Sequence, residues 1–226
     1  AGVAAPRFWV VAGRADLEGV RGELVYPLLV KRRLSHVFQH GFRAKSHEAR
    51  GPEELEQALA VAEEAGVATV LMERIPGPDH LLCSYYTYLD EDGRALFDFT
   101  KRIVRRQPVG MGLACHHVTD HVEGIREPAL RLFRHVGLQG VANVEFKRDP
   151  RDGVYKLIEC NARFTAANAL VARAGIDIAG LVYQRALGLP LPPLHGFRDG
   201  LRLWSPGRAL LAFLEVGRRR RTGAGA

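Results

Sequence analysis

Two runs of alternating apolar and polar residues, at 140–148 and 154–163, flank a short segment without that pattern. The segment, residues 149–153, reads Asp-Pro-Arg-Asp-Gly and contains the residue types that favour turns. Two alternating runs joined by turn residues are typical of a β-hairpin. The pattern therefore predicts a hairpin over residues 140–163.

Alternation puts Glu145 on the same face of the first predicted strand as Asn143. In the second strand, one face is expected to carry Glu159 with three neighbours: Tyr155, Leu157 and Asn161. A turn centred on residue 151 or 152 brings both glutamates to one face, whereas a shift of one residue separates them. Two adjacent carboxylates repel each other unless a cation intervenes, and Mg²⁺ accepts carboxylate and amide oxygens. The pattern favours a Mg²⁺ site or, alternatively, an exposed hairpin with solvated acids.

The rest of the pattern predicts short strands mixed with amphipathic helices, as in an α+β protein. Strands are expected at 8–11, 26–31, 42–46, 69–72, 81–89, 95–104 and 201–204. Helices are expected at 15–22, 52–66, 127–137, 166–174, 178–187 and 208–216. Residues 107–123 are expected to form a loop and residues 218–226 to be disordered, and the prolines and glycine around residue 77 predict a hinge.

Three histidines fall in the predicted loop: His116, His117 and His121. A zinc site from His117 and His121 would need helical spacing, which the residues between them do not favour. A loop that contacts a polar substrate is the preferred interpretation.

The composition is that of a globular protein, with 226 residues, 47% hydrophobic and 25% charged. No apolar run reaches the ~18 residues of a membrane-spanning helix, so no membrane partner is expected. Three cysteines without a Cys-x-x-Cys pair favour a reducing, cytoplasmic location. The net charge of +7 includes four arginines at 218–221. A basic cleft for phosphates accounts for the remaining charge as well as a nucleic-acid partner would.

Three motifs occur in an order that resembles the ATP-grasp superfamily of ligases, in the branch of D-aspartate ligase and carbamoyl-phosphate-synthase-like proteins. They are Tyr-Pro-Leu-Leu-Val-Lys at 26–31, Met-Glu-Arg-Ile-Pro-Gly-Pro-Asp at 72–79, and the hairpin ending in Glu-Cys-Asn-Ala-Arg. The resemblance implies two α+β lobes with antiparallel sheets that enclose a nucleotide cleft. It divides the chain into an N-terminal segment (1–24), an N-terminal lobe (25–78), a C-terminal lobe with the metal hairpin (79–193) and a partly disordered tail (194–226).

Three departures from the family pattern accompany the resemblance. Arg32 follows Lys31 where proline is usual, and the phosphate loop at 35–41 has a single glycine. The chain also begins without an initiator methionine and after the point where relatives have a further substrate-binding domain, so a fragment is expected.

The resemblance also implies roles for individual residues. The nucleotide would be contacted by Lys31, Lys45, Met72, Glu73, Arg74, Ile75 and Asp79, with the lysines on phosphate, the hinge backbone on adenine and Asp79 on ribose. Mg²⁺, or Mn²⁺ in its place, would be held by Glu145, Glu159 and Asn161. The catalytic cations would be Arg163, Lys101 and Arg102.

The implied function is an ATP-dependent ligase that joins an amino-acid-like carboxylate to an amine through an acyl phosphate. The alternative is an ATP-binding module, or truncated ligase, without catalysis of its own. The expected partners are small-molecule carboxylate and amine substrates and, as in relatives, a second copy in a homodimer. Nucleic acid is not expected as a partner, although the basic residues at 218–221 keep a nucleic-acid binder as the third interpretation.

Overall fold

The computed structural model describes residues 1–33, 46–191 and 194–221. Residues 34–45, where Lys45, the expected phosphate loop and most of the strand expected at 42–46 fall, lie outside the described residues. The chain divides into two compact units, one formed by Pro6–Pro76 and the other by Ala1–Ala5 together with Gly77–Ala226. Each unit contains an antiparallel sheet and helices, which confirms the α+β class.

The Pro6–Pro76 unit has a four-stranded sheet in the order β1-β4-β2-β3. Its strands are β1 (Phe8–Val11), β2 (Leu28–Arg32), β3 (Ser46–Ala49) and β4 (Thr69–Glu73). Among the described residues of this unit, two α-helices accompany the strands, α1 (Arg14–Val20) and α2 (Pro52–Glu64). Because β1 pairs with β4 along its whole length, residues expected in a separate N-terminal segment lie in this sheet.

Helix α2 begins where the sequence predicts a start. Pro52 occupies the first turn, where a missing N–H costs nothing, and Glu53 and Glu54 lie near the positive end of the helix dipole. Leu55 of this helix packs into a core with Leu28 and Leu71 of the sheet. This core holds the unit together by burying apolar surface.

The larger unit contains a six-stranded antiparallel sheet in the order β10-β7-β6-β5-β8-β9. Its strands are β5 (Leu82–Leu89), β6 (Phe99–Gln107), β7 (Leu113–Thr119), β8 (Gly140–Arg148), β9 (Tyr155–Asn161) and β10 (Arg202–Trp204). Its helices are α3 (Arg126–His135), α4 (Asn168–Arg173), α5 (Ile178–Ala186) and α6 (Pro206–Arg221).

The two faces of the six-stranded sheet are packed differently because side chains alternate along each strand. On one face, Tyr85 of β5 and Val144 of β8 pack against α3 through Phe133. On the opposite face, Tyr86 and Phe99 pack against helices α4 and α5. The second face also carries polar side chains beyond this apolar cluster, and these are the candidates for function.

Three expectations from the sequence were wrong. Residues 107–123 are not a loop, because β7 lies within them and pairs with both β6 and β10. The strand expected at 201–204 is present as β10, but it forms the edge of the larger sheet and does not belong to a separate tail. Helix α6 continues to Arg221, so residues 218–221 are helical rather than disordered. The sequence of β7 shows no clear apolar–polar alternation, because two adjacent polar residues, His116 and His117, are both buried.

None of the helices within 1–33, 46–191 and 194–221 has the length and apolar character that crossing a membrane requires.

Candidate metal and phosphate site

The hairpin formed by β8 and β9 has the register that the sequence favours. Glu145 lies directly opposite Glu159, and Asn143 lies directly opposite Asn161. Because directly opposed residues project from the same face of the sheet, the four side chains lie together. The hairpin and the shared face of its glutamates are confirmed.

A β-bulge interrupts this hairpin immediately after the glutamate pair. The register shifts between Glu145 and Phe146, so that Phe146 lies opposite Leu157. Tyr155 and Leu157 consequently pack on the apolar cluster below the opposite face. Their predicted place beside Glu159 was wrong, because an extra residue reverses the facing of everything beyond it.

The turn of the hairpin is held by a buried carboxylate. Asp149 has no exposed surface and accepts hydrogen bonds from Arg151 Nη2 at 2.5 Å and Lys156 Nζ at 2.6 Å. The hydrogen bonds from Arg151 and Lys156 hold the pKa of the Asp149 carboxyl well below its usual range, with the bond from Arg151 contributing most. Burial acts in the opposite direction but does not cancel their effect. Asp149 therefore fixes the turn that sets the glutamate register.

The glutamate pair has the chemistry of a divalent-cation site. Within residues 1–33, 46–191 and 194–221, neither Glu145 nor Glu159 forms an ion pair. The nearby Lys147 instead donates to the carbonyl of Gly77 at 2.8 Å. Two opposed carboxylates and an adjacent amide form an all-oxygen donor set, which suits Mg²⁺. No group of three or more His, Cys, Asp or Glu residues suited to a metal occurs in the described chain, so a metal held by these two glutamates would take the amide of Asn161 as a further ligand.

Lys101 lies in line with this pair across four strands. It is opposite Ser84, Ser84 is opposite Glu145, and Glu145 is opposite Glu159. Neighbouring strands are about 4.8 Å apart, so Lys101 and Glu145 are separated by about 10 Å of sheet. The Lys101 side chain is 1% exposed and its Nζ donates to Ser84 Oγ at 3.1 Å. One face of the sheet thus carries a cation, a hydroxyl and two carboxylates in a single row.

Arg102 does not share this face. It lies opposite Cys83, and its guanidinium forms an ion pair with Asp120. The structure therefore separates Lys101 from Arg102, which the family resemblance grouped together as catalytic cations.

Arg163 lies just beyond the end of β9. Its side chain is exposed, and Nη1 donates to the carbonyl of Phe164 at 3.1 Å. The segment that follows is anchored to the sheet, since the hydroxyls of Thr165 and Tyr86 are 3.1 Å apart. Arg163 therefore follows, in the sequence, the end of β9 that carries Glu159, and its side chain is accessible to solvent.

Asp79, expected to bind ribose, is engaged by a neighbour that the sequence did not single out for this role. Its carboxylate accepts hydrogen bonds from the backbone N–H and the Nε of Arg106, both at 2.9 Å. Asp79 is also buried. A ribose hydroxyl would share this carboxylate with Arg106.

The remaining expected nucleotide residues lie in the Pro6–Pro76 unit. Lys31 Nζ lies 3.7 Å from Met72 Sδ, so these two side chains project from one face of the four-stranded sheet. The N–H of Glu73 donates to Arg7 O at 2.8 Å, and the N–H of Arg74 donates to Pro27 O at 3.1 Å. Both backbone donors are thus used in folding. Ile75 is buried within the chain that follows β4.

His117 is a residue that sequence reasoning assigned to the wrong kind of element. It lies on β7 opposite Ile103, two residues along β6 from Lys101, and is 8% exposed. Burial and then the charge of Lys101 lower the pKa of His117 to about 3. Its Nδ1 is buried without a hydrogen-bond partner in the described chain. The side chain is therefore neutral at physiological pH.

Comparison with known proteins shows which domains and folds this chain resembles. Residues 114–194, which contain the whole hairpin, match the family described as "Carbamoyl-phosphate synthase L chain, ATP binding domain". The fold superposes with a TM-score of 0.66 on the biotin carboxylase domain of 2-oxoglutarate carboxylase from Hydrogenobacter thermophilus, solved with MgADP. That match has 19% sequence identity and covers 89% of this chain and 46% of the other. The chain has the ATP-grasp fold, as its motifs indicate.

Two curated proteins show where the sequence similarity lies. The D-aspartate ligase of Enterococcus faecium is 29% identical over 174 residues, which cover 74% of this chain and 41% of the ligase. The multifunctional protein CAD of Squalus acanthias is 37% identical over 72 residues, which cover 31% of this chain and 3% of CAD. The chain therefore spans less than half the length of either relative.

Proposed function

We propose that this chain is the nucleotide-binding part of an ATP-dependent ligase that joins a carboxylate to an amine. The row of Lys101, Ser84, Glu145 and Glu159 on one face of the sheet is the observation that carries this proposal. A row that begins with a cation and ends with two carboxylates suits a phosphate chain bridged to a metal ion. The similarity to D-aspartate ligase favours an amino-acid-like carboxylate as one substrate.

The metal site in this proposal consists of Glu145, Glu159 and the Oδ1 of Asn161. Mg²⁺ bound there would neutralise charge on the β- and γ-phosphates of ATP. Mn²⁺ accepts the same oxygen ligands and is the alternative ion. Lys101, on the same face, is assigned to the phosphoryl oxygens, where it would stabilise the negative charge that they carry during transfer.

The proposed reaction has two steps. An oxygen of the substrate carboxylate attacks the γ-phosphorus of ATP, and the bond from that phosphorus to the leaving oxygen breaks to release ADP. The nitrogen of the amine then attacks the acyl carbon, phosphate leaves with the electrons of the broken C–O bond, and the nitrogen loses a proton to solvent. Positioning and charge stabilisation carry such a reaction. Arg163 is assigned to the acyl-phosphate charge.

Replacing Glu159 with alanine tests the metal site. Glu159 is exposed, so we expect Glu159→Ala to fold, because its loss removes no buried packing. The Mg²⁺-dependent rise in melting temperature with a non-hydrolysable ATP analogue should disappear. Metal affinity should fall by more than the ~10–100-fold that loss of an outer-shell partner costs. Differential scanning fluorimetry and Mn²⁺ titration by electron paramagnetic resonance measure the two effects.

Glu123→Ala is the matched control, since Glu123 is an exposed acid of the same unit outside the hairpin. An unchanged metal-dependent shift in Glu159→Ala would overturn the metal assignment. A screen of carboxylates with an amine, read out as ADP release, then tests the reaction. Nucleotide binding without carboxylate-dependent ADP release would favour the alternative of a binding module without catalysis.

A further inference from the structure

Asn143 is a buried polar residue beside the proposed metal ligands. It is 0% exposed and lies on the same strand as Glu145, two residues away and on the same face. It is opposite Asn161 of β9 and opposite Tyr86 of β5. A buried amide is costly unless its polar atoms are hydrogen-bonded, so its bonds indicate what it does.

The hydrogen bonds of Asn143 leave one orientation for its side chain. Its Nδ2 donates to the main-chain carbonyl of Tyr85 at 3.3 Å. A carbonyl only accepts, so the amino group of Asn143 must face Tyr85 and its Oδ1 must face the other way. That Oδ1 accepts a hydrogen bond from Asn161 Nδ2 at 3.2 Å.

The same logic fixes the orientation of Asn161. Its amino group faces Asn143, so its Oδ1 is directed away from Asn143. This Oδ1 accepts no hydrogen bond from the described residues. It is also the only atom of the amide that binds a cation, because the amino group carries two hydrogens and no available lone pair.

We infer that Asn143 is a positioning residue that orients Asn161 so that its Oδ1, and not its Nδ2, is presented beside Glu145 and Glu159. The carbonyl of Tyr85 orients the amide of Asn143, and Asn143 in turn orients the amide of Asn161. Groups that orient metal ligands from outside the first shell tune metal affinity. The inference rests on the proposed metal site and adds to it a residue that would not touch the metal.

A double-mutant cycle separates this role from a merely structural one. Asn143→Ala should weaken Mn²⁺ binding by about 10–100-fold, the range for loss of an outer-shell partner. In an Asn161→Ala background the same change should have little further effect, because the ligand it orients is absent. Mn²⁺ affinity, measured by electron paramagnetic resonance without nucleotide, is the readout. Asn143→Ser is the second variant, since it removes less volume.

Thr87→Ala is the control for loss of a buried hydrogen bond. Thr87 is 0% exposed, donates to Phe97 O at 2.6 Å and lies on the opposite face of β5 from Ser84 and Tyr86. It should lower stability in urea without changing Mn²⁺ affinity. Equal losses of affinity from Asn143→Ala in both backgrounds, or no loss in the wild-type background, would overturn the inference.

A measurement on the unmodified protein covers the case in which the Asn143 variants do not fold. The side-chain amide of Asn161, identified by the resonance missing from Asn161→Ala, should exchange its hydrogens slowly in the metal-free protein. Rapid exchange would show that Asn143 does not hold it, and would overturn the inference. An absence of Mn²⁺ binding by the wild-type protein would instead contradict the proposed metal site, so the two failures are distinguishable.

Discussion

Individual residues acquire their roles from the face of the strand on which they lie. Lys101 and Arg102 are adjacent cations in the sequence, yet one lies in the row with the glutamates and the other pairs with Asp120 on the opposite face. Alternation predicts that they diverge, but the pattern of an isolated strand does not show which face is functional. The pairing of β6 with β5, and of β5 with β8, aligns Lys101 with Ser84 and Glu145 and so places it on the face that carries the glutamates.

His117 gives a prediction at this scale. Its folded-state pKa of about 3 lies below the ~6.5 of an unperturbed histidine, since burial and Lys101 disfavour the charged form. Below pH ~6.5 the unfolded state therefore binds more protons than the folded state. The stability contributed by neutral His117 should be complete above pH ~6.5 and fall by at most about 1.4 kcal/mol per pH unit as the pH drops towards 3.

Urea unfolding at pH 7.5, 6.0 and 5.0 measures this slope. His117→Asn should flatten the decline in unfolding free energy between pH 6.5 and 5, because the titrating group is gone. His135→Asn, at an exposed position at the end of α3, should keep the wild-type slope. Identical slopes for the wild type and His117→Asn would show that His117 does not titrate below its ordinary range.

At the scale of elements, the hairpin shows both what the sequence predicts and where prediction fails. Its turn chemistry and alternation are local, so the pairing of Glu145 with Glu159 follows from them. The bulge does not follow from this local pattern, because Tyr155, Leu157 and Glu159 continue one unbroken alternation in the sequence. The apolar cluster under α3 makes the difference, since Tyr155 and Leu157 pack there. Strand β7 escaped prediction for a related reason, as its histidines are buried by tertiary packing.

The turn of the hairpin offers a second pH-dependent prediction. Asp149→Asn should lower the free energy of unfolding at pH 7 by about 1–2 kcal/mol, because a buried charge-assisted acceptor for Arg151 and Lys156 is lost. The folded-state pKa of Asp149 is below its usual value. Its contribution is therefore present above the unfolded pKa of ~3.9 and is lost as the pH falls through the folded pKa. The gap between wild type and variant should shrink in acid.

Guanidinium unfolding at pH 7 and pH 2.5 checks both parts of this prediction. Asp152→Asn, at an exposed position of the same turn, is the control and should have a smaller effect at pH 7. A gap between wild type and Asp149→Asn that stays constant with pH would contradict the charge argument.

At the scale of the whole molecule, each unit has its own apolar core, and this explains why the α+β class was readable from sequence. Apolar core residues recur along the sequence with the period of the helix or strand to which they belong. This period can be recognised in the sequence even when the element that packs against it is unknown. The substrates were not readable, because recognition of a carboxylate or an amine depends on side chains brought together from distant segments. The residues proposed as metal ligands differ in this respect, since the hairpin places them opposite one another from nearby positions in the sequence.

The distribution of charge over the molecule yields a final prediction. Of the net charge of +7, four charges come from the arginines at 218–221, at the end of α6. Replacing all four with glutamine leaves +3 and keeps a residue of similar helix propensity. Clustered cations release more counterions from a polyanion than scattered ones, so the variant should elute from heparin at clearly lower salt. A matched variant with glutamine at Arg33, Arg131, Arg134 and Arg173, all exposed, has the same net charge and should elute later than the helix variant.

Mg²⁺-dependent nucleotide binding should be unchanged by the α6 replacement, because the proposed site lies on β6, β8 and β9. Equal elution of the two variants would show that net charge, and not the arginine cluster, governs binding. Salt-sensitive retention that survives in the helix variant would favour a nucleic-acid role.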